Sequence, residues 1–389
     1  MPPSHAAAIP SSLRKTNRRM ILRHMVRVPM AARGELAVVA GTSCVTAGKI
    51  VDELLEKGVL EAADVKRHGK RPGRPEQTLR LNTQASRFVL VQLGVRHTRI
   101  SFAPLGTAVD MQWEEEFETP DTAAEWDAAF RAAWARIAVS HGPGPQAQVW
   151  GVVVSMPGVV DEDHGKVLFS PNVHWSEGVD FKKMIGTTID APVEIVHEIH
   201  AVALGQLAAL PTQKDFLIVD FGHGVGGAAV LGGGLYQGSL PLSLELGQNI
   251  VIGNDRVCGC GAIGCVETLL SRRGLFASIA EQLGKRSMRY SWSIVEKHLA
   301  QNGLEPWLRK SLQAGGAAIA GALNILGLGR VVITGVTEKM PDEIKAYLAA
   351  EIRKAAMWAK FGEVEIEYAP RRRMRGLISV GIERLVVDG

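Results

Sequence analysis

Over residues 16–26, TNRRMILRHMV, the apolar Met20, Ile21 and Met25 recur with His24 at helical spacing, and Pro29 stops the element because its ring cannot continue a helix. A second short apolar run, RGELAVVA over 33–40, leads into Gly41, Thr42 and Ser43, a glycine turn followed by a serine N-cap. Residues 43–58, SCVTAGKIVDELLEKG, then read as an amphipathic helix with Val45, Ile50, Leu54 and Leu55 inward. Two helices about a tight turn predict a helix-turn-helix. From 59 to 82, two short apolar runs flank a stretch dense in Lys, Arg, Gly and Pro, which predicts two strands and a loop, a β-wing.

Beyond about residue 83 the pattern changes. Longer apolar runs, RFVLVQLGV (87–95), VWGVVVSMPGVV (149–160), DFLIVDFGHGVGGAAVL (215–231) and RVVITGV (330–336), alternate with helical stretches. Such alternation predicts α/β layers with mostly parallel strands. The run AGGAAIAGALNILGLG (314–329) is uncharged but shorter than the roughly 18 residues a membrane span needs, so it reads as a buried helix. The glycines of FGHGVGG (221–227) fit either a tight turn or a nucleotide loop.

With 389 residues, 46% of them hydrophobic, the chain can bury more than one core, so it is expected to be globular and multidomain. Its first residues lack the apolar centre of a signal peptide, and a cytoplasmic protein is expected. The net charge of +4 is unevenly spread: residues 1–82 carry 15 Lys/Arg against 7 Asp/Glu, and the remainder is net negative. A basic end on a mildly acidic body suits double-stranded DNA as a partner. Thr42, Ser43, Thr46 and Lys49 stand at the start of the second helix of the motif, where side chains would reach base edges. Lys66, Arg67, Lys70, Arg71 and Arg74 sit at the wing tip, where they would meet phosphates or enter a minor groove. Cys44 reads as a small packing residue. A small helical module with a solvated basic loop is the plainer alternative.

Three of the four cysteines lie in CGCGAIGC, residues 258–265. They are too few and too local for a disulfide framework, and a metal or redox role fits better, against a glycine-cysteine turn without metal.

SPNVHWSEGVDF (170–181), GVGGAAVLGGGLYQGSLPLSLELGQ (224–248) and CGCGAIGCVE (258–267), in this order behind a winged helix-turn-helix, resemble the ROK family of repressors, open reading frames and kinases, as does GRP (73–75) in the wing. The resemblance implies an actin-like (ribonuclease H-like) domain of two α/β lobes about a sugar cleft. It also implies a division into a DNA-binding domain over 1–82, a first lobe over 83–200 and a second lobe over 201–389, with the C-terminal helix returning to the first lobe. Zinc would be held by Cys258, Cys260 and Cys265. The family's fourth ligand, the histidine of E-x-G-H, is here Gln248, whose carbonyl is a poorer zinc partner. The sugar-binding positions map to Asn172, His197, Glu198, Glu245, Gln248 and Glu267.

The family's kinases carry Asp-x-Gly-Gly-Thr in the first phosphate loop and a threonine in the second; this chain has Gln92, Leu93, Gly94, Val95 and Arg96 in the one and His223 in the other. Glu198 stands at the general-base position, one methylene longer than aspartate. Without the metal-binding aspartate and the phosphate-binding hydroxyls, phosphoryl transfer lacks most of its electrostatic stabilisation. The expectation is therefore a regulator without catalytic residues, a repressor of carbohydrate metabolism that binds an operator as a homodimer or tetramer and a sugar-like effector in its cleft. An ATP-dependent sugar kinase with a fused DNA-binding domain is the alternative, and a regulator answering to a protein partner is also compatible with the substituted sugar positions.

Overall fold

A computed structural model describes residues 10–63, 77–82, 86–104, 113–140, 148–242, 244–285 and 289–387. Contacts divide the chain into two compact units, one made of Met1–Met156, Val179–Val196 and Leu377–Gly389, the other of Pro157–Gly178 and His197–Gly376.

The first unit begins with three helices: α1 (Pro10–Arg27), α2 (Arg33–Val39) and α3 (Cys44–Glu56). The first starts six residues before the predicted stretch, with Pro10 at its first position, where a missing N–H costs nothing. α2 and α3 are bent by 112° about Gly41, whose φ of +60° is the left-handed conformation that glycine adopts freely. That angle is the one a helix-turn-helix uses. Ser43 caps α3, its hydroxyl accepting from the Thr46 N–H at 3.1 Å. The inward stripe of α3 is Ala47, Ile50, Val51 and Leu54, which corrects the expected set. Val45 is 71% exposed because it precedes Ala47 by two residues, about 200° round the helix. Leu55 is only half-buried, and Cys44, expected to pack, is exposed.

Leu60–Ala62 pairs antiparallel with Thr78–Leu81, and Ala31–Ala32 adds a third strand on the other side. These are the roots of the predicted wing. Its tip, with Lys66, Arg67, Lys70, Arg71 and Arg74, lies outside the described residues.

A five-stranded sheet follows, in the order Val193–His197, Gln148–Met156, Ser86–Leu93, His97–Pro104, Glu115–Glu118. Phe88 to Val91 and Leu93 are fully buried, so both faces of the central strand are covered. On one side Trp126, from the helix Ala123–Ser140, stacks on Phe130 at 5.0 Å and donates its indole N–H to Thr98 at 2.9 Å. The π-helix Gly381–Val387 packs on the opposite face, with Gly381 so near Phe88 that a Cβ would come within 2.9 Å of the ring. Glu383 of the same turn pairs with Arg19 and Arg23 of α1.

The second unit has its own five-stranded sheet: Gly234–Leu235, Val225–Leu231, Phe216–Phe221, Arg330–Gly335, Glu365–Tyr368. Alternation sends Leu217, Val219 and Phe221 to a core shared with Leu275, Leu312, Ile319 and Leu348, and Phe216 and Ile218 to the opposite face, against Ile199, Val202 and Ala203. Neither sheet is mostly parallel. Ser86–Leu93 runs parallel to Gln148–Met156 but antiparallel to His97–Pro104, and Phe216–Phe221 runs parallel to Arg330–Gly335 but antiparallel to Val225–Leu231. Turns of three residues, 94–96 and 222–224, are too short for a crossover and can only make hairpins. FGHGVGG is thereby a tight turn, closed by the Gly222 N–H on the Gly224 carbonyl at 2.8 Å.

The uncharged run from 314 lies in the helix Pro306–Leu326, which ends where Gly327 turns left-handed at φ +66°. One side of it is core and Ile325 on the other is exposed. Among the described residues no single helix is long and apolar enough to cross a membrane.

Candidate functional site

Every position mapped for the sugar and the metal falls in the second unit. Asn172 stands half-buried between the strand Lys166–Phe169 and the short turn His174–Ser176. Glu177 ties that loop together, accepting from the Ser170 N–H and from His174 Nδ1, each at 2.9 Å. The cysteine segment abuts it: a Cβ on Gly259 would lie 3.2 Å from Pro171 Cβ.

His197 is the N-cap of the helix Glu198–Ala209, and His200 sits one turn further on. Their rings meet edge-on, with centroids 5.1 Å apart. Burial, reinforced by His200 and opposed by Glu162, pushes the His197 imidazole down to about 3, so it stays neutral. Glu198 does not stand free; Arg373, at the start of the helix Arg373–Val380, donates to it. The two helices touch through glycine: a Cβ on Gly376 would lie 1.7 Å from the Ala201 carbonyl oxygen, and one on Gly205 1.9 Å from that of Arg372.

Glu245 and Glu267 share a further part of the unit. Burial raises both carboxyls above their ordinary range, and for Glu245 the charge of Glu267 adds to it. Glu267 accepts from the Val225 N–H at 2.9 Å, next to Gly224, where a Cβ would meet its carboxylate at 2.5 Å. Gln248 ends the turn Leu246–Gln248, with its side-chain oxygen 3.5 Å from Cys258 Sγ.

The cysteines occupy a hairpin built without any core of its own. Its rungs are Cys258 N–H to Ala262 O at 2.8 Å and Gly264 N–H to Arg256 O at 2.9 Å, and Arg256 fastens it to the Thr268 carbonyl at 2.8 Å. The three Sγ atoms lie within 4.8 Å of one another, with Cys260 and Cys265 3.6 Å apart. Tetrahedral zinc with bonds of about 2.3 Å sets its sulfurs about 3.8 Å apart, so this donor set fits the ion. Burial pushes the Cys265 thiol up to about 12, a cost that a bound cation offsets.

Asp220, at the end of the strand before the 222–224 turn, is taken up internally. Arg371 and the Thr334 hydroxyl at 2.7 Å hold its carboxyl below the ordinary range against the opposing effect of burial. A Cβ on Gly222 would lie 2.6 Å from Arg371 Nη2 and one on Gly335 2.8 Å from it, so the guanidinium lies between the two glycine turns.

In the first unit, Ser43, Thr46 and Lys49 are exposed on the first turns of α3, and Thr42 is half-buried ahead of them. The Ser43 and Thr46 hydroxyls are 3.0 Å apart. Three residues beside the mapped positions escaped the sequence reading: Glu162, His200 and Arg373. Only His200 left a sequence trace, its spacing of three from His197 within VHEIH.

Known proteins match this arrangement end to end. The xylose repressor of Caldicellulosiruptor bescii is 24% identical over 91% of this chain and 92% of its own, and that of Bacillus subtilis 23% identical over 97% and 96%. The crystal structure of a ROK family transcriptional regulator, a homologue of the E. coli Mlc protein, superposes with a TM-score of 0.78 at 18% identity, covering 97% of this chain and 100% of that one. The ROK family profile matches residues 91–379, and the chain belongs to the ROK family.

Proposed function

We propose that this protein is a DNA-binding transcriptional repressor of sugar metabolism, released from its operator by a polyhydroxylated effector. The observation that carries this reading is the basic N-terminal helix-turn-helix, bent by 112°, on a chain whose end-to-end relatives are named as repressors. Thr42, Ser43, Thr46 and Lys49 face the major groove, and Lys70, Arg71 and Arg74 of the wing contact the backbone. A homo-oligomer presents two such modules to two half-sites, within the cytoplasm where that DNA is found.

Asn172, His197, Glu198, Glu245, Gln248 and Glu267 hold the effector, because carboxylates and amides suit vicinal hydroxyls. Zinc on Cys258, Cys260 and Cys265, with Gln248 beside them, supplies a rigid cross-link for the hairpin that leads to Glu267. The role is structural.

Phosphoryl transfer is not part of the reading. Gln92 is a neutral amide where the kinases have a metal-binding aspartate, and Arg371 occupies Asp220 beside the glycine turns. Duplex binding by the purified full-length protein, read by fluorescence anisotropy over a salt series, tests the regulator reading. A logarithmic affinity that falls steeply with the logarithm of salt supports it, and no binding at low salt sinks it. ATP-dependent phosphorylation of any sugar in a panel would favour the kinase instead.

A further inference from the structure

We infer that the apolar groove beside the helix Pro306–Leu326 is the face on which a second copy of this chain docks. The reading above asks for a homo-oligomer without saying which surface makes it; this inference names the surface and rests on that reading for the second copy.

The groove lies wholly in the second unit and has a volume of about 830 Å³, with the helix as one wall and residues 236–242 and 244–252 as the other. From Ser311 to Gly329 the chain carries no charged residue. One side of the helix there, with Leu312, Ile319 and Leu323, belongs to the core. The groove side presents Ala314, Ala317, Gly321 and Ile325, which their spacing of three or four residues places on one face. A helix face turned to water is ordinarily charged or polar, whereas this one is small and apolar. A Cβ on Gly321 would meet nothing within 4 Å, so among the described residues nothing covers the face at that point. Glu245 is the single charged residue among those lining the groove, and the core of an interface is likewise poor in charge.

Area and shape both favour a second copy. Ile252 is 100% and Ile325 86% exposed, and Tyr236, Leu240, Leu242 and Ile250 are exposed beside them along the groove. The exposed Val257 and Ile263 continue the surface, since they pair across the cysteine hairpin and Ile250 pairs with Cys265 of the same ribbon. Together these residues expose the equivalent of about five whole side chains, on the order of 500 Å² of apolar surface at about 100 Å² each. One side of a standard protein interface covers about 800 Å², a little over half of it non-polar, or about 450–500 Å². The patch therefore matches one partner's share of a stable dimer. A two-fold contact uses the same patch on both copies, so each must offer projecting side chains and a hollow to take them. This face has both: Ile252 and Ile325 project, and the groove lies between the walls that carry them. A small ligand in the groove would leave Ile252, Val257 and Ile263 in water, whereas a second copy covers them.

The test is sedimentation equilibrium of the full-length protein without DNA. The parent should be a dimer or tetramer, and Ile252→Asp and Ile325→Asp should each weaken the assembly about thirtyfold or more, because each sets an unpaired carboxylate in the apolar contact. Val139→Asp, at a similarly exposed apolar position of the first unit, should leave the assembly unchanged. Should the groove variants fail to fold by circular dichroism, amide exchange of the parent decides: residues 249–252 and 314–325 should exchange faster once dilution separates the copies, and unchanged exchange there overturns the inference. An oligomeric parent indifferent to both groove variants, or split by Val139→Asp instead, overturns this inference alone. A parent that stays monomeric while binding duplex overturns it and removes the homo-oligomer from the reading as well. An assembly that the groove variants split but that binds no duplex at low salt would sink the regulator reading and leave the interface standing.

Discussion

Arg371 grips Asp220 with two donors, Nε at 2.5 Å and Nη2 at 2.9 Å, and Nη2 reaches on to the Phe221 carbonyl at 3.2 Å. A bidentate pair of this kind, largely out of water, is costly to break on one side only, because the remaining charge loses its compensation. Arg371→Met should lower the unfolding free energy by about 3–5 kcal/mol in urea titrations, and Asp220→Asn in the same chain should recover much of the loss. A single-variant cost under about 1 kcal/mol would mean that the pair is not holding the two glycine turns.

His197 makes stability depend on pH. Its imidazole titrates near 3 in the folded protein and near 6.5 when unfolded, so below about pH 6.5 the unfolded chain binds the extra proton. The contribution is complete above that value and is lost as pH falls toward 3. His197→Gln should remove close to one proton from the slope of unfolding free energy against pH across this window. An unchanged slope would show that His197 is protonated in the fold.

The cysteine hairpin should carry metal. Protein purified under reducing conditions without chelator is expected to contain zinc close to one per chain, and Cys258→Ser should lose it. Gln248→His, which completes an S₃N set, should slow zinc loss to a chelator. Finding no zinc in the parent protein by elemental analysis would leave a plain glycine-cysteine turn.

On the DNA side, two kinds of change should separate. Ser43→Ala removes the cap of α3 and should cost about 1 kcal/mol of stability. Lys49→Ala should leave stability alone, weaken duplex binding and reduce the salt slope by about one if the lysine contacts phosphate. Thr46→Ala is expected to alter preference among operator variants.

Glu245→Ala should abolish release by the effector while operator affinity without ligand stays at the parent value, both read by anisotropy. Release at the parent concentration of effector would move the sensing site elsewhere.

What the sequence by itself determined was local. The glycine at 41 and the serine cap at 43 dictate a turn and a helix start within a few residues, and both are present. The alternation of apolar runs with helical stretches sufficed for α/β layers, though their division into two lobes came from the family resemblance, and the spacing of Cys258, Cys260 and Cys265 sufficed for a cluster that can hold a metal. Strand direction was misjudged, because apolar runs read alike in parallel and antiparallel pairs and only the length of the connection separates them. Val45 was misplaced because one apolar residue off the stripe is indistinguishable in a short helix until its neighbours are known. Tertiary structure alone decided the partners: Glu162 meets His200 across 38 positions, Asp220 meets Arg371 across 151 and Glu198 meets Arg373 across 175. A charge in a sequence carries no sign of what will neutralise it. Burial removes water, the only partner the sequence can presume, and the fold then supplies another from wherever the chain returns.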